Sequence, residues 1–140
     1  MSNRSLSVVL LMVCVLSLGC ANDTSHLSKP TETVTWPALN AMNDPAISMG
    51  LIMPSQMGDF KTCRKNAADP KLAELVSALD TEVIPEKYAS PARDAAKRKV
   101  VLAYRSLMLN AKSNGSEQDL KQALADVKSG MAALADPNLK

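Results

Sequence analysis

Apolar residues in the second half of the chain recur at helical spacing. Ala92, Ala96, Val100, Ala103, Tyr104, Leu107 and Ala111 fall mostly three or four positions apart from Pro91 to about Lys112, which sets them on one stripe of an amphipathic helix. Ser113-Asn114-Gly115 stops that pattern, and Ser116 with Asp119 three residues on forms a capping box that opens another helix. This next helix carries Leu120, Ala123, Leu124, Val127, Met131 and Leu134 on its inner face and ends at Asp136-Pro137. Further upstream, Asp44-Pro45, Asp69-Pro70 and Ser90-Pro91 each pair a capping side chain with proline at the first helical position, so each predicts a helix start. Leu72, Leu75, Val76 and Leu79 then share one face, and Val83, Ile84 and Pro85 occupy a loop. A short turn from Pro37 to Met42 precedes a helix running from Pro45 towards Met53. Pro54 is expected to break or kink that rod before a further helical stretch to about Ala67. Helices joined by short loops alternate in direction, so the prediction for residues 36–140 is all-α, an up-and-down bundle of about four helices.

The first 35 residues follow a different pattern. Arg4 gives a short positive start, and the run from Val8 to Leu18 carries no charge. A spanning helix needs about 20 predominantly apolar residues, roughly twice this run, so residues 1–19 read as a signal peptide rather than a permanent anchor. From Ala21 to about Thr35 the chain is polar and offers little to a core; with Cys20 it forms a flexible linker, residues 20–35. A linker of that length holds a domain roughly 20 Å from its point of attachment. His26, the only histidine, lies in this linker and reads as a solvated residue.

The junction Leu16-Ser17-Leu18-Gly19-Cys20 resembles the lipobox of bacterial lipoproteins, with Ser17 at the position where leucine is commonest. The resemblance implies acylation of Cys20, cleavage on its amino side and a lipid-anchored protein of the cell envelope. Several acyl chains on one cysteine hold stably, because each buried methylene contributes about 0.8 kcal/mol. In a two-membrane bacterium, Ala21 after the cysteine implies the outer membrane, with the domain facing the periplasm. If Cys14 leaves with the leader and Cys20 carries lipid, Cys63 remains alone as a free thiol, and the fold cannot depend on an internal disulfide.

Composition supports helices, since aromatics are 3% of the chain while hydrophobic residues are 46%. The formal net charge of +2 falls close to neutral without Arg4, which leaves no electrostatic footprint for nucleic acid. There is no His-Glu-x-x-His helix, no Gly-rich phosphate loop, no Gly-x-Ser-x-Gly elbow and no Cys-x-x-Cys pair, so no enzyme activity and no cofactor are expected. The Arg93, Lys97, Arg98 and Lys99 run reads as a solvated face, its functional alternative being contact with anionic headgroups or polymer. Lys61, Arg64 and Lys65 flank Cys63 and would lower its thiol pKa if they reached it, although such a cysteine commonly serves as a small apolar side chain.

Methionine is the one unusual enrichment. Met42, Met49, Met53 and Met57 fall at helical intervals, and soft sulfur suits copper(I), with Cys63 completing a softer site only if it faces these sulfurs. The competing reading is that methionine fills irregular gaps in an aromatic-poor core. The layout from Ser90-Pro91 to Leu134, a long helix, a glycine turn and a second helix, resembles the cytochrome b562 type of periplasmic bundle. That family ligates haem with a methionine early in its first helix, where Met42 or Met49 stands here, and a histidine in its last. The last helix of this chain has no histidine, and Cys-x-x-Cys-His is also missing. The function expected is therefore a lipid-anchored, non-enzymatic binding or scaffolding module that meets an envelope protein or polymer, with a copper or haem carrier as the alternative.

Overall fold

In the computed structural model, which describes residues 33–140, the chain forms six α-helices: α1 (Pro37–Met42), α2 (Pro45–Gln56), α3 (Phe60–Ala67), α4 (Pro70–Thr81), α5 (Pro91–Ser113) and α6 (Glu117–Leu134). A single 3₁₀ turn, Glu86–Tyr88, lies between α4 and α5, and the described residues contain no strand. The fold is all-α and bundle-like. The expected leader, Cys14, Cys20, His26 and the polar stretch as far as residue 32 lie outside the described residues.

Each of the three proline-marked starts opens a helix. Asp44 accepts from the backbone N–H of Ala46, Asp69 from that of Lys71 and Ser90 from that of Arg93, while the following proline fills a position whose N–H has no helical acceptor. Ser116 caps α6 as predicted, accepting from the Asp119 N–H at 3.1 Å and donating to its carboxylate at 2.6 Å. The α1 cap comes from elsewhere in the chain. Trp36 has no capping side chain, and the Ala38 N–H instead donates to Glu82 Oε2, beyond the end of α4, at 2.7 Å.

The helices outnumber the expected four or so because Pro37–Met42, expected as a turn, is helical and the arm after Pro45 divides into two helices, at a break displaced from Pro54. α2 runs through Pro54 to Gln56, and the chain turns at Met57-Gly58-Asp59, where Gly58 adopts a φ of 76° that favours glycine. A proline within a helix deprives the carbonyl four residues earlier of its donor, here Gly50 O. Asn66 of α3 supplies the missing bond, its Nδ2 donating to Gly50 O at 2.7 Å. The lost main-chain bond is thus replaced across the α2–α3 contact, and the helix continues.

α5 and α6 form an antiparallel hairpin. Val100 of α5 lies against Gly130 of α6, where a β-carbon would sit 2.9 Å from Val100 Cγ2. Arg93, in the first turn of α5, reaches the carboxyl end of α6 and the residues after it. Asn114 takes the left-handed conformation, φ 50°, that terminates α5, while Gly115 allows close approach to the Asn110 side chain. The predicted stripe is the core here, with Val100, Leu107, Leu120 and Leu134 fully buried. Leu72, Val76 and Leu79 of α4 and Leu39 and Met42 of α1 belong to the same core.

Two polar expectations are corrected by the packing. Arg93 is not on a solvated face: it is 2% exposed, and its guanidinium donates to the carbonyls of Leu134, Asp136 and Leu139 at 3.4, 2.8 and 2.7 Å. A cation suits this place because the last carbonyls of α6 are unsatisfied and carry the negative end of the helix dipole. Lys97 is half-buried and donates to the Glu82 carbonyl, so of the four-residue basic run only Arg98 and Lys99 are exposed. Ordered packing also starts before Trp36. Val34 is buried, and the Tyr88 hydroxyl donates to Thr33 O at 3.1 Å.

Candidate functional site

The α2 segment Pro45-Ala-Ile-Ser-Met-Gly-Leu-Ile-Met-Pro-Ser-Gln56 contains no charged residue. Its apolar side chains surround the axis instead of forming one stripe, and only Leu51 is buried. A helix apolar all round is normally enclosed by protein or lipid. Here Met49 is 54% exposed, Met53 44% and Met57 79%. These residues are four apart, and Met57, just past the last helical residue, keeps helical backbone with its N–H bonded to Met53 O, so all three follow one side of the rod.

The inner side of α2 is fixed by two bonds from α3. The Cys63 thiol donates to Leu51 O at 3.4 Å, and Asn66 donates to Gly50 O. Cys63 is fully buried and its thiol is free. Burial pushes the thiol pKa up, outweighing the opposing effect of the Arg64 cation. Arg64 turns instead to Gly115 O, at the α5–α6 turn. Cys63 therefore lies on the buried side of α2 and does not join the exposed methionine sulfurs, and its surroundings favour the protonated, unreactive thiol.

Clefts flank the helix. One, of 270 Å³, lies between the starts of α2 and α4 and is lined by Ile47, Gly50, Asn66, Asp69, Lys71 and Leu75 among others. The capping carboxylates of Asp44 and Asp69 border it, but both already accept backbone N–H bonds. The second, of 180 Å³, separates α2 from α5 and α6; Met42, Ile52, Tyr104, Leu124, Val127 and Met131 line it. Burial pushes the Tyr104 pKa up to about 12, so its phenol is neutral through the physiological range.

The four methionines thus divide. Met42, 2% exposed, is the core filler that its flexible side chain suits, whereas Met49, Met53 and Met57 face outward and fill no gap. Pro54 does not interrupt their face. Among the described residues, no three His, Cys, Asp or Glu side chains are grouped to hold a metal, and no helix is long and apolar enough to cross a membrane. Asn66 was missed in the sequence, although one signal was present: a proline inside a helical stretch leaves the carbonyl four residues back in need of a donor. No protein-family model, curated protein or solved structure matches the chain.

Proposed function

We propose that this protein is a lipid-anchored, non-enzymatic binding module of the cell envelope, held at the membrane through acylated Cys20 and offering the outer face of α2 as its contact surface. The reading rests on Leu16-Ser17-Leu18-Gly19-Cys20 following a short uncharged run. The position of α2 supports the contact surface, since a charge-free helix with three outward methionines is costly to leave in water and is expected to be covered by an envelope protein or polymer. In a two-membrane organism the proposed site is the outer membrane, facing the periplasm.

Labelled palmitate tests the anchor. Wild-type protein is expected to incorporate it, and Cys20→Ser to abolish incorporation and leave an uncut precursor. Unchanged labelling of the variant would refute the role of Cys20. A photoreactive residue at position 53 tests the contact surface in intact cells: it is expected to crosslink to an envelope component, while the same residue at exposed Lys99 is not. Equal crosslinking from both positions would remove α2 from the proposal.

A further inference from the structure

We infer that Met49, Met53 and Met57 form a thioether site for a soft monovalent cation, copper(I) or silver(I), on the outer face of α2. Core filling accounts for methionine where the side chain is enclosed, as at Met42, and fails where 44–79% of the residue is exposed. An exposed helix position is ordinarily occupied by a charged or polar residue, so three thioethers in succession along one side need another reason.

The backbone is suited to the role. The rise of about 1.5 Å per residue spaces successive methionines by roughly 6 Å along the axis. Each side chain has three rotatable bonds, so neighbouring thioethers at i and i+4 can converge on one ion, and Met53 is the member common to the Met49–Met53 and Met53–Met57 pairs, between which a single ion exchanges. Continuity through Pro54 is what keeps the three in register. That continuity depends on the Asn66 bond to Gly50 O and on the turn being delayed to Gly58.

The ligand class follows from the donors. Thioethers are neutral, soft ligands that select copper(I) over magnesium, calcium or zinc. No carboxylate occurs from Pro45 to Gln56 to recruit a hard cation in their place. The buried thiol of Cys63 is directed at Leu51 O on the other side of the helix and is not a ligand of this site. This inference goes beyond the proposed anchor and depends neither on it nor on a macromolecular partner.

Detergent-solubilised full-length protein, labelled with ¹³C at the methionine methyls, is titrated with silver(I), the redox-inert probe. The Met49, Met53 and Met57 resonances are expected to shift together and saturate near one equivalent, with Met42 unmoved. Copper(I) competition against a chromogenic chelator under reducing, anaerobic conditions is expected to show at least tenfold weaker binding for Met53→Leu, and no change for Cys63→Ser. Leucine is a good helix former and the position is exposed, so an unchanged circular-dichroism spectrum is expected to accompany the loss. Absence of the joint shift, or equal copper(I) affinity in Met53→Leu and wild type, overturns the site. Mass spectrometry of Cys20 on the same sample reports separately whether the anchor is present.

Discussion

The α5–α6 hairpin and the α2–α3 arm solve the same packing problem in opposite ways. In the hairpin, apolar residues form a stripe turned inward and the outside is mostly charged or polar, with Leu102 and Leu109 exposed, so burial of one stripe against another holds the pair. In the arm, α2 has no charged face, buries only Leu51, and is tied to α3 by side-chain bonds to the carbonyls of Gly50 and Leu51. Most of the hairpin's sequence is accounted for by stability. The outer face of α2 is not, and side chains that stability leaves unexplained are the reasonable place to seek binding.

Truncation in the hairpin breaks this comparison most directly. Leu107→Ala, at a fully buried position, is expected to cost about 3 kcal/mol in urea unfolding, against less than about 0.5 kcal/mol for Leu109→Ala, two residues on and 68% exposed. Similar losses at both positions would mean that the hairpin is not packed along this stripe. Arg93→Ala follows, at about 2 kcal/mol, because it removes a charged donor from the carbonyls of Asp136 and Leu139 and the buried stem of the side chain. A stability equal to wild type would show that the end of α6 is satisfied without it.

The arm is tested by a double-mutant cycle. Asn66→Ala leaves Gly50 O without its side-chain donor and is expected to cost about 1 kcal/mol. Pro54→Ala restores a main-chain N–H four residues after Gly50, so the loss is expected to shrink by at least about 0.5 kcal/mol in that background. Strict additivity would contradict the exchange of one donor for the other.

A further test is a pH dependence, which is silent at neutral pH. Tyr104 has its pKa raised from 10.0 to about 12 by burial, so the protonated phenol is favoured by folding. Its contribution to stability is complete below pH 10 and is lost as pH rises from there through about 12. Phenolate absorbance from this residue is expected to appear near pH 12 or together with alkaline unfolding, and Tyr104→Phe should remove that signal. Titration near pH 10 without loss of structure would place Tyr104 in water.

Much of the helical layout was legible because its signals are local. A capping side chain followed by proline marks a start wherever the chain lies, and an apolar stripe states which face is buried before any partner is known. Asp44, Asp69 and Ser90 accordingly cap the helices predicted from them. Pro54 misled for the opposite reason. Its cost was offset by Asn66, which belongs to another helix, and spacing along one segment cannot show that.

The candidate site divides in the same way. The recurrence of Met49, Met53 and Met57 was written in the sequence, but whether the three are core or surface was not, since periodicity fixes a shared face without saying what covers it. Likewise the sequence determined that Arg93 stands in the first turn of α5, while its burial against the end of α6 required the hairpin to close. Local backbone chemistry is set by neighbours along the chain and can be read from order alone. Which polar group is satisfied, and which apolar group stays in water, is settled by residues that meet only after folding.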